Sequence, residues 1–257
     1  MIALAAAGIC FVAVAQQKQP AAAAKPAPAK VQPASPAAAA AEQQAPVVIK
    51  KAEELIQKVV SAYAGINSYT VRFDMNQIQM KATNKHQDKF NDKFELAYLK
   101  SNPASLDWMM RMTALDGYHK RTIVVYAKDE KGEYKFTVYK PAGRMVIGEK
   151  DPRAADIPFV ELHKFVGELL DLVEMKTTKK KVQYFPETGQ YVLTLQDDLM
   201  RNTTYIDGKS FMLVKQVLEL RPKMKGDYQF KREIRWHGIK TGAKLTPGQI
   251  TARPVKL

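Results

Sequence analysis

This chain has a single cysteine, Cys10, and it lies inside an apolar N-terminal run. A domain built from the remaining residues uses neither a disulfide nor a thiol nucleophile. Only four histidines are present, His86, His119, His163 and His237. None has the i, i+4 helical spacing or the cysteine companion that a metal site needs. A glycine-rich phosphate loop, a Gly-x-Ser-x-Gly elbow and a Ser-x-x-Lys pair are all missing. Asp197 and Asp198 are adjacent, so on a strand their carboxylates would point to opposite faces, and turn chemistry is their expected role. No cofactor is expected, and an enzyme is not the expected class. The one long apolar run, Met1–Ala15, falls short of the roughly 20 residues that a membrane-spanning helix needs.

That run ends in Ala13-Val14-Ala15 before Gln16, the small-x-small pattern of a secretory cleavage site. Residues 1–15 therefore read as a signal peptide, although the usual basic start is missing; an uncleaved anchor is the alternative. Ile9 before Cys10 is too bulky for lipoprotein processing. Residues 16–48 are almost entirely Ala, Pro, Gln and Lys, a composition that cannot bury a core, and read as a disordered linker. Residues 49–257 remain as one domain. The net charge is +14, with basic runs at 176–181 (KTTKKK) and 221–235 (RPKMKGDYQFKREIR). Such a surplus reads as a solvated surface or as attraction to an anionic membrane or acidic protein. An exported chain has no nucleic acid to meet.

What is present is alternation. Val71, Phe73 and Met75 alternate with Arg72, Asp74 and Asn76, and Tyr134, Phe136 and Val138 with Lys135 and Thr137. Successive strand side chains point to opposite faces, so the sheet has one apolar face. Strands are expected near 69–80, 92–100, 105–113, 121–128, 133–140, 143–148, 181–186, 190–197, 202–207, 210–220 and 227–236. Asp207-Gly208 suggests a tight hairpin. A helix is expected over Ala52–Ala64, with Leu55, Ile56, Val59 and Tyr63 on one stripe. A second is expected over Asp156–Met175, capped by Asp156, with His163 at its surface. The expectation is an α+β fold: a large curved antiparallel sheet of about eleven strands, a half-open incomplete β-barrel. Two principal helices would lie as a lid on its concave face.

This order of parts resembles the LolA/LolB superfamily of periplasmic lipoprotein carriers. The resemblance rests on the helix-to-strand opening from Ala52 to Phe73, on 94–108 (FELAYLKSNPASLDW) and on 134–146 (YKFTVYKPAGRMV). Ile157-Pro158-Phe159, 205–214 (YIDGKSFMLV) and Lys244-Leu245-Thr246 extend it. In the carriers an arginine before the second-strand proline helps hold the lid closed; here Lys100-Ser101-Asn102-Pro103 has none.

The resemblance implies a non-enzymatic chaperone of the periplasm that binds lipid or lipoprotein acyl chains in an apolar concavity. It would act in lipoprotein sorting to the outer membrane, as a monomer meeting an envelope donor or acceptor protein. If the N-terminal run is uncut, the domain would stay anchored to the inner membrane. A non-enzymatic envelope sensor binding a protein partner is the alternative. The expected lining is Phe73, Met75, Phe94, Leu96, Trp108, Met110, Phe136, Val138, Met212, Phe230, Ile234 and Trp236. Long methionines suit a surface that meets chains of variable shape. Arg232 shares the apolar parity of Phe230, Ile234 and Trp236, so it points inward, toward a headgroup phosphate or a lid carboxylate such as Glu161 or Glu168.

Overall fold

The computed structural model describes residues 48–80, 87–101, 107–157, 160–221 and 230–254. The chain divides into two units, Met1–Ala45 and Pro46–Leu257, and every described residue belongs to the second. The expected signal segment, and all of the expected linker except Val48, lie outside the described residues.

The chain opens with α1 (Ala52–Ala64), whose acidic Glu53 and Glu54 suit the positive end of the helix. A meander of six strands follows: β1 (Ser68–Met80), β2 (Gln87–Lys100), β3 (Trp108–Gly117), β4 (Ile123–Lys128), β5 (Tyr134–Lys140) and β6 (Gly143–Gly148). A 3-10 turn (Pro152–Asp156) and α2 (Leu162–Glu174) cross over to a second meander. It comprises β7 (Lys179–Phe185), β8 (Gln190–Gln196), β9 (Met200–Asp207), β10 (Leu213–Leu220) and β11 (Phe230–Thr241), and α3 (Pro247–Thr251) closes the order.

All eleven strands form one antiparallel sheet, ordered β6-β5-β4-β3-β2-β1-β11-β10-β9-β8-β7. Consecutive hairpins explain the order within each meander. The two meanders join at a central β1–β11 seam. Strands β6 and β7 are left as free edges, so the sheet does not close. The expected α+β class, strand number and open sheet are what the structure shows.

Register carries the alternation across the sheet. Phe73 lies opposite Phe94 on β2 and Trp236 on β11; Met75 opposes Ile234, Leu96 opposes Met112, and Val138 opposes Met145. A period of two puts them on one face. Helices α1 and α2 bury this face with Leu55, Ile56, Val59, Tyr63, Leu162, Phe165, Leu169 and Val173, which join it in one core.

The opposite face of the central strands carries a ladder of ion pairs, Arg201–Glu219 at 2.6 Å, Lys215–Glu233 at 2.9 Å and Arg72–Glu95 at 3.3 Å, and His237 Nε2 lies 2.9 Å from Asp74 Oδ2. Exposed pairs contribute little stability, and here they mark a solvated face. Over β4 and β5 that face is apolar instead: Ile123, Val125 and Tyr139 are buried together. Nearby, α3 packs on β2, β3 and β4, and Arg111 donates to the carbonyls of Ile250 at 3.2 Å and Ala252 at 2.6 Å.

Three local expectations are corrected. The second helix starts at Leu162, not near Asp156, because the Glu161 side chain accepts from the His163 and Lys164 amides; Pro152–Asp156 winds as a 3-10 turn that Asp151 caps. Pro158 and Phe159 lie outside the described residues. Asp207-Gly208 does not make a tight hairpin. Asp207 Oδ1 accepts from the Lys209 and Ser210 amides and the Ser210 hydroxyl, and β10 resumes only at Leu213. Finally, His163 is half-buried rather than at the surface: its ring reaches from α2 to the Tyr63 carbonyl at the end of α1.

Candidate functional site

The expected lining residues converge. Phe73, Met75, Phe94, Leu96, Met110, Phe136, Val138, Ile234 and Trp236 are buried in the main core beneath the helices, with Trp108 and Met212 packed partly buried against it. Phe230 is half-buried where β11 begins, opposite Leu220 and Gln79. Over the central strands this face meets the protein's own helices: Phe165 sets its ring edge-on to Trp236, centroids 5.7 Å apart.

The N-terminus of α2 is held by a buried polar cluster that sequence reasoning missed. Glu161 is 3% exposed. Its Oε1 accepts from the His163 amide at 2.8 Å and from the Tyr69 hydroxyl at 3.0 Å, and lies 3.1 Å from His163 Nδ1. Its Oε2 accepts from the Lys164 amide at 2.6 Å. His163 Nε2 lies 3.0 Å from the Tyr63 carbonyl, so one ring ties the end of α1 to the start of α2. That ring stacks 4.8 Å from Tyr98, which stacks 4.8 Å from Tyr69. Burial, then the nearby Glu161 charge, hold the Tyr69 hydroxyl well above its ordinary range. The available signal was Glu161 two residues before His163, with Tyr69 on the inward parity.

Arg232 faces inward. Its guanidinium lies 5.5 Å over the ring of Phe165 on α2, and its Nε is buried without a hydrogen-bond partner. Burial lowers its pKa, and Glu168 opposes that shift. Burial likewise raises Glu168, although part of its surface still meets solvent; Lys164 and Arg232 pull it back. An incompletely paired inward charge costs stability. Arg232→Met, which keeps the stem and the contact with Phe165, should therefore raise the unfolding free energy by about 1 kcal/mol in urea titration. A loss of stability would show that the guanidinium holds α2 down.

Among the described residues, two of the concavities that open to solvent bear on the site. One, of about 250 Å³, lies beside the β3–β6 half of the sheet, with Val138, Met145 and Ile157 as its floor and His119, Thr122, Lys140 and Arg153 around it. The other, about 440 Å³ and shallower, lies at the α1–β1 corner, with Met212, Ile66 and Thr241 in its wall. Val138 and Met212 are the expected lining residues that reach them. No group of His, Cys, Asp or Glu suited to a metal ion occurs among the described residues. No described helix is long and apolar enough to cross a membrane.

An open antiparallel sheet with one apolar face under two helices defines the class of this protein. Solved structures of similar layout include a DUF1329 family protein from Desulfovibrio piger (TM-score 0.40, 8% identity, covering 78% of this chain and 96% of that one). Another is a domain from Vibrio parahaemolyticus described as outer membrane lipoprotein-sorting (TM-score 0.39, 12% identity, 77% and 95% covered). A third is a LolA superfamily protein from Nitrosomonas europaea (TM-score 0.32, 8% identity, 79% and 98% covered). No family model and no curated protein matches the chain.

Proposed function

We propose that this protein binds acyl chains of a lipid or lipoprotein between the sheet and α2, and that it serves lipoprotein or lipid sorting toward the outer membrane from the periplasm. It changes no covalent bond in its cargo. The supporting observation is the unclosed sheet: its apolar face is covered by helices, and at one side an apolar-floored cavity already opens to solvent. Each methylene moved out of water contributes about 0.8 kcal/mol, so a chain displacing α2 has a large apolar face to occupy. Phe73, Met75, Phe94, Leu96, Trp108, Met110, Phe136, Val138, Met212, Phe230, Ile234 and Trp236 form the proposed lining, and Arg232 the inward cation.

A second reading has its own support. Leu162, Phe165, Leu169 and Val173 of α2 already fill the space over the central strands. That suits an envelope sensor whose groove holds its own helix until a protein partner displaces it.

Native mass spectrometry of the full chain, exported and purified without detergent, separates the two. Bound species of acyl-lipid mass, removed by solvent extraction and restored by added lipid, are expected. A single unliganded mass, with no uptake of a fluorescent fatty acid, overturns the carrier reading and leaves the sensor reading.

A further inference from the structure

The smaller cavity has features that a general apolar face does not require. Its floor is apolar, from Val138 and Met145 on the paired strands β5 and β6 and from Ile157. Lys140 stands at the rim, exposed, with no carboxylate in ion-pair range among the described residues. The neighbouring cation, Arg153, is already neutralised by Asp151 at 2.7 Å. The wall is built deliberately. Asp92, 2% exposed, accepts from the His119 amide at 2.7 Å and lies 2.9 Å from His119 Nδ1. Both contacts fix the ring that lines the cavity. The β3–β4 turn reaches this position because Gly117 has φ +97 and passes directly over Asn91 and Asp92.

We propose that this cavity takes the end of one single-chain amphiphile bearing an anionic headgroup, a carboxylate or phosphate. The chain would lie on Val138, Met145 and Ile157, and the headgroup beside Lys140 and the fixed His119 ring. The proposal rests on the acyl-binding reading above and narrows its ligand class. One chain is the limit, because about 250 Å³ falls just below the ~300–1,000 Å³ of pockets that enclose drug-sized ligands. An apolar floor orders the tail, and one free ammonium at its edge selects the charge.

Isothermal titration of the full chain with dodecanoate, dodecanol and inorganic phosphate, each alone, tests this. Dodecanoate should bind about tenfold tighter than dodecanol, the discrimination one charged contact supplies, and phosphate alone should bind far more weakly than either. Lys140→Met should erase the preference while leaving dodecanol unchanged, and Met145→Trp, which fills the cavity, should weaken both. Equal binding of dodecanoate and dodecanol, or a preference that survives Lys140→Met, overturns the headgroup assignment and leaves acyl binding standing. Phosphate binding as tightly as dodecanoate would make the ligand a free anion and overturn the amphiphile. If neither twelve-carbon compound binds, this proposal fails, and acyl binding fails with it where native mass spectrometry also finds no lipid.

Discussion

Glu161→Ala is expected to lower the free energy of unfolding by about 3–5 kcal/mol in urea titration, the range seen when one partner of a buried polar network is removed. Alanine leaves the His163 and Lys164 amides without their cap, which alone costs about 1 kcal/mol. It also strands the Tyr69 hydroxyl, fully buried and otherwise accepting only from the Leu162 amide at 3.2 Å. His163 would keep its polar contact to the Tyr63 carbonyl and its stacking on Tyr98. Glu161→Gln retains an acceptor for the amides and should lose less. Hydrogen exchange gives a second readout: the first-turn amides of α2 should lose protection ahead of the β1–β2 ladder. Equal loss across both elements would mean the cluster holds the whole domain rather than the helix.

The second large effect is expected at Gly117. A Cβ there would stand 1.9 Å from the Asn91 carbonyl oxygen and 2.7 Å from Asp92 Oδ1. The first contact is with the backbone of β2, so the β3–β4 turn must lift away. The residue also sits at φ +97, where a side chain is strained. Gly117→Ala should cost about 2–4 kcal/mol and release the His119 ring from Asp92, visible as a shift of its imidazole resonances. Gly132 supplies the control. It also has positive φ, +79, but open space around it, so Gly132→Ala should cost only about 1 kcal/mol. Similar losses at both positions would reduce Gly117 to ordinary backbone strain.

Much of the architecture was legible because one face of the sheet is buried. Period-two runs such as Val71-Phe73-Met75 and Phe136-Val138 fixed strand type and facing, and turn residues separated them into the observed order. Helix boundaries were less legible. Asp156 and Pro158 look like a start, but the cap is made by Glu161, whose value depends on Tyr69 folded against it from 92 residues away. The short helix α3 was passed over although Thr246-Pro247-Gly248-Gln249 spells its capping box. The inward set around Phe73 and Trp236 follows from parity alone. Which of those residues meet helices and which meet a cavity does not, because that depends on where α2 lies across the sheet. His119 shows the same gap. Its partner Asp92 is 27 residues away, and nothing local to either signals the pairing.

The seam between β1 and β11 has a kinetic consequence. His237 reaches Asp74 across 163 residues, so the middle of the sheet is expected to be stitched last, after two separately wound hairpin ribbons find each other. Each ribbon carries an unpaired inner border until that moment, and closing so long a loop is slow. Assembly should therefore show a late step whose rate responds to changes along 68–80 and 230–241 and ignores those at the outer borders.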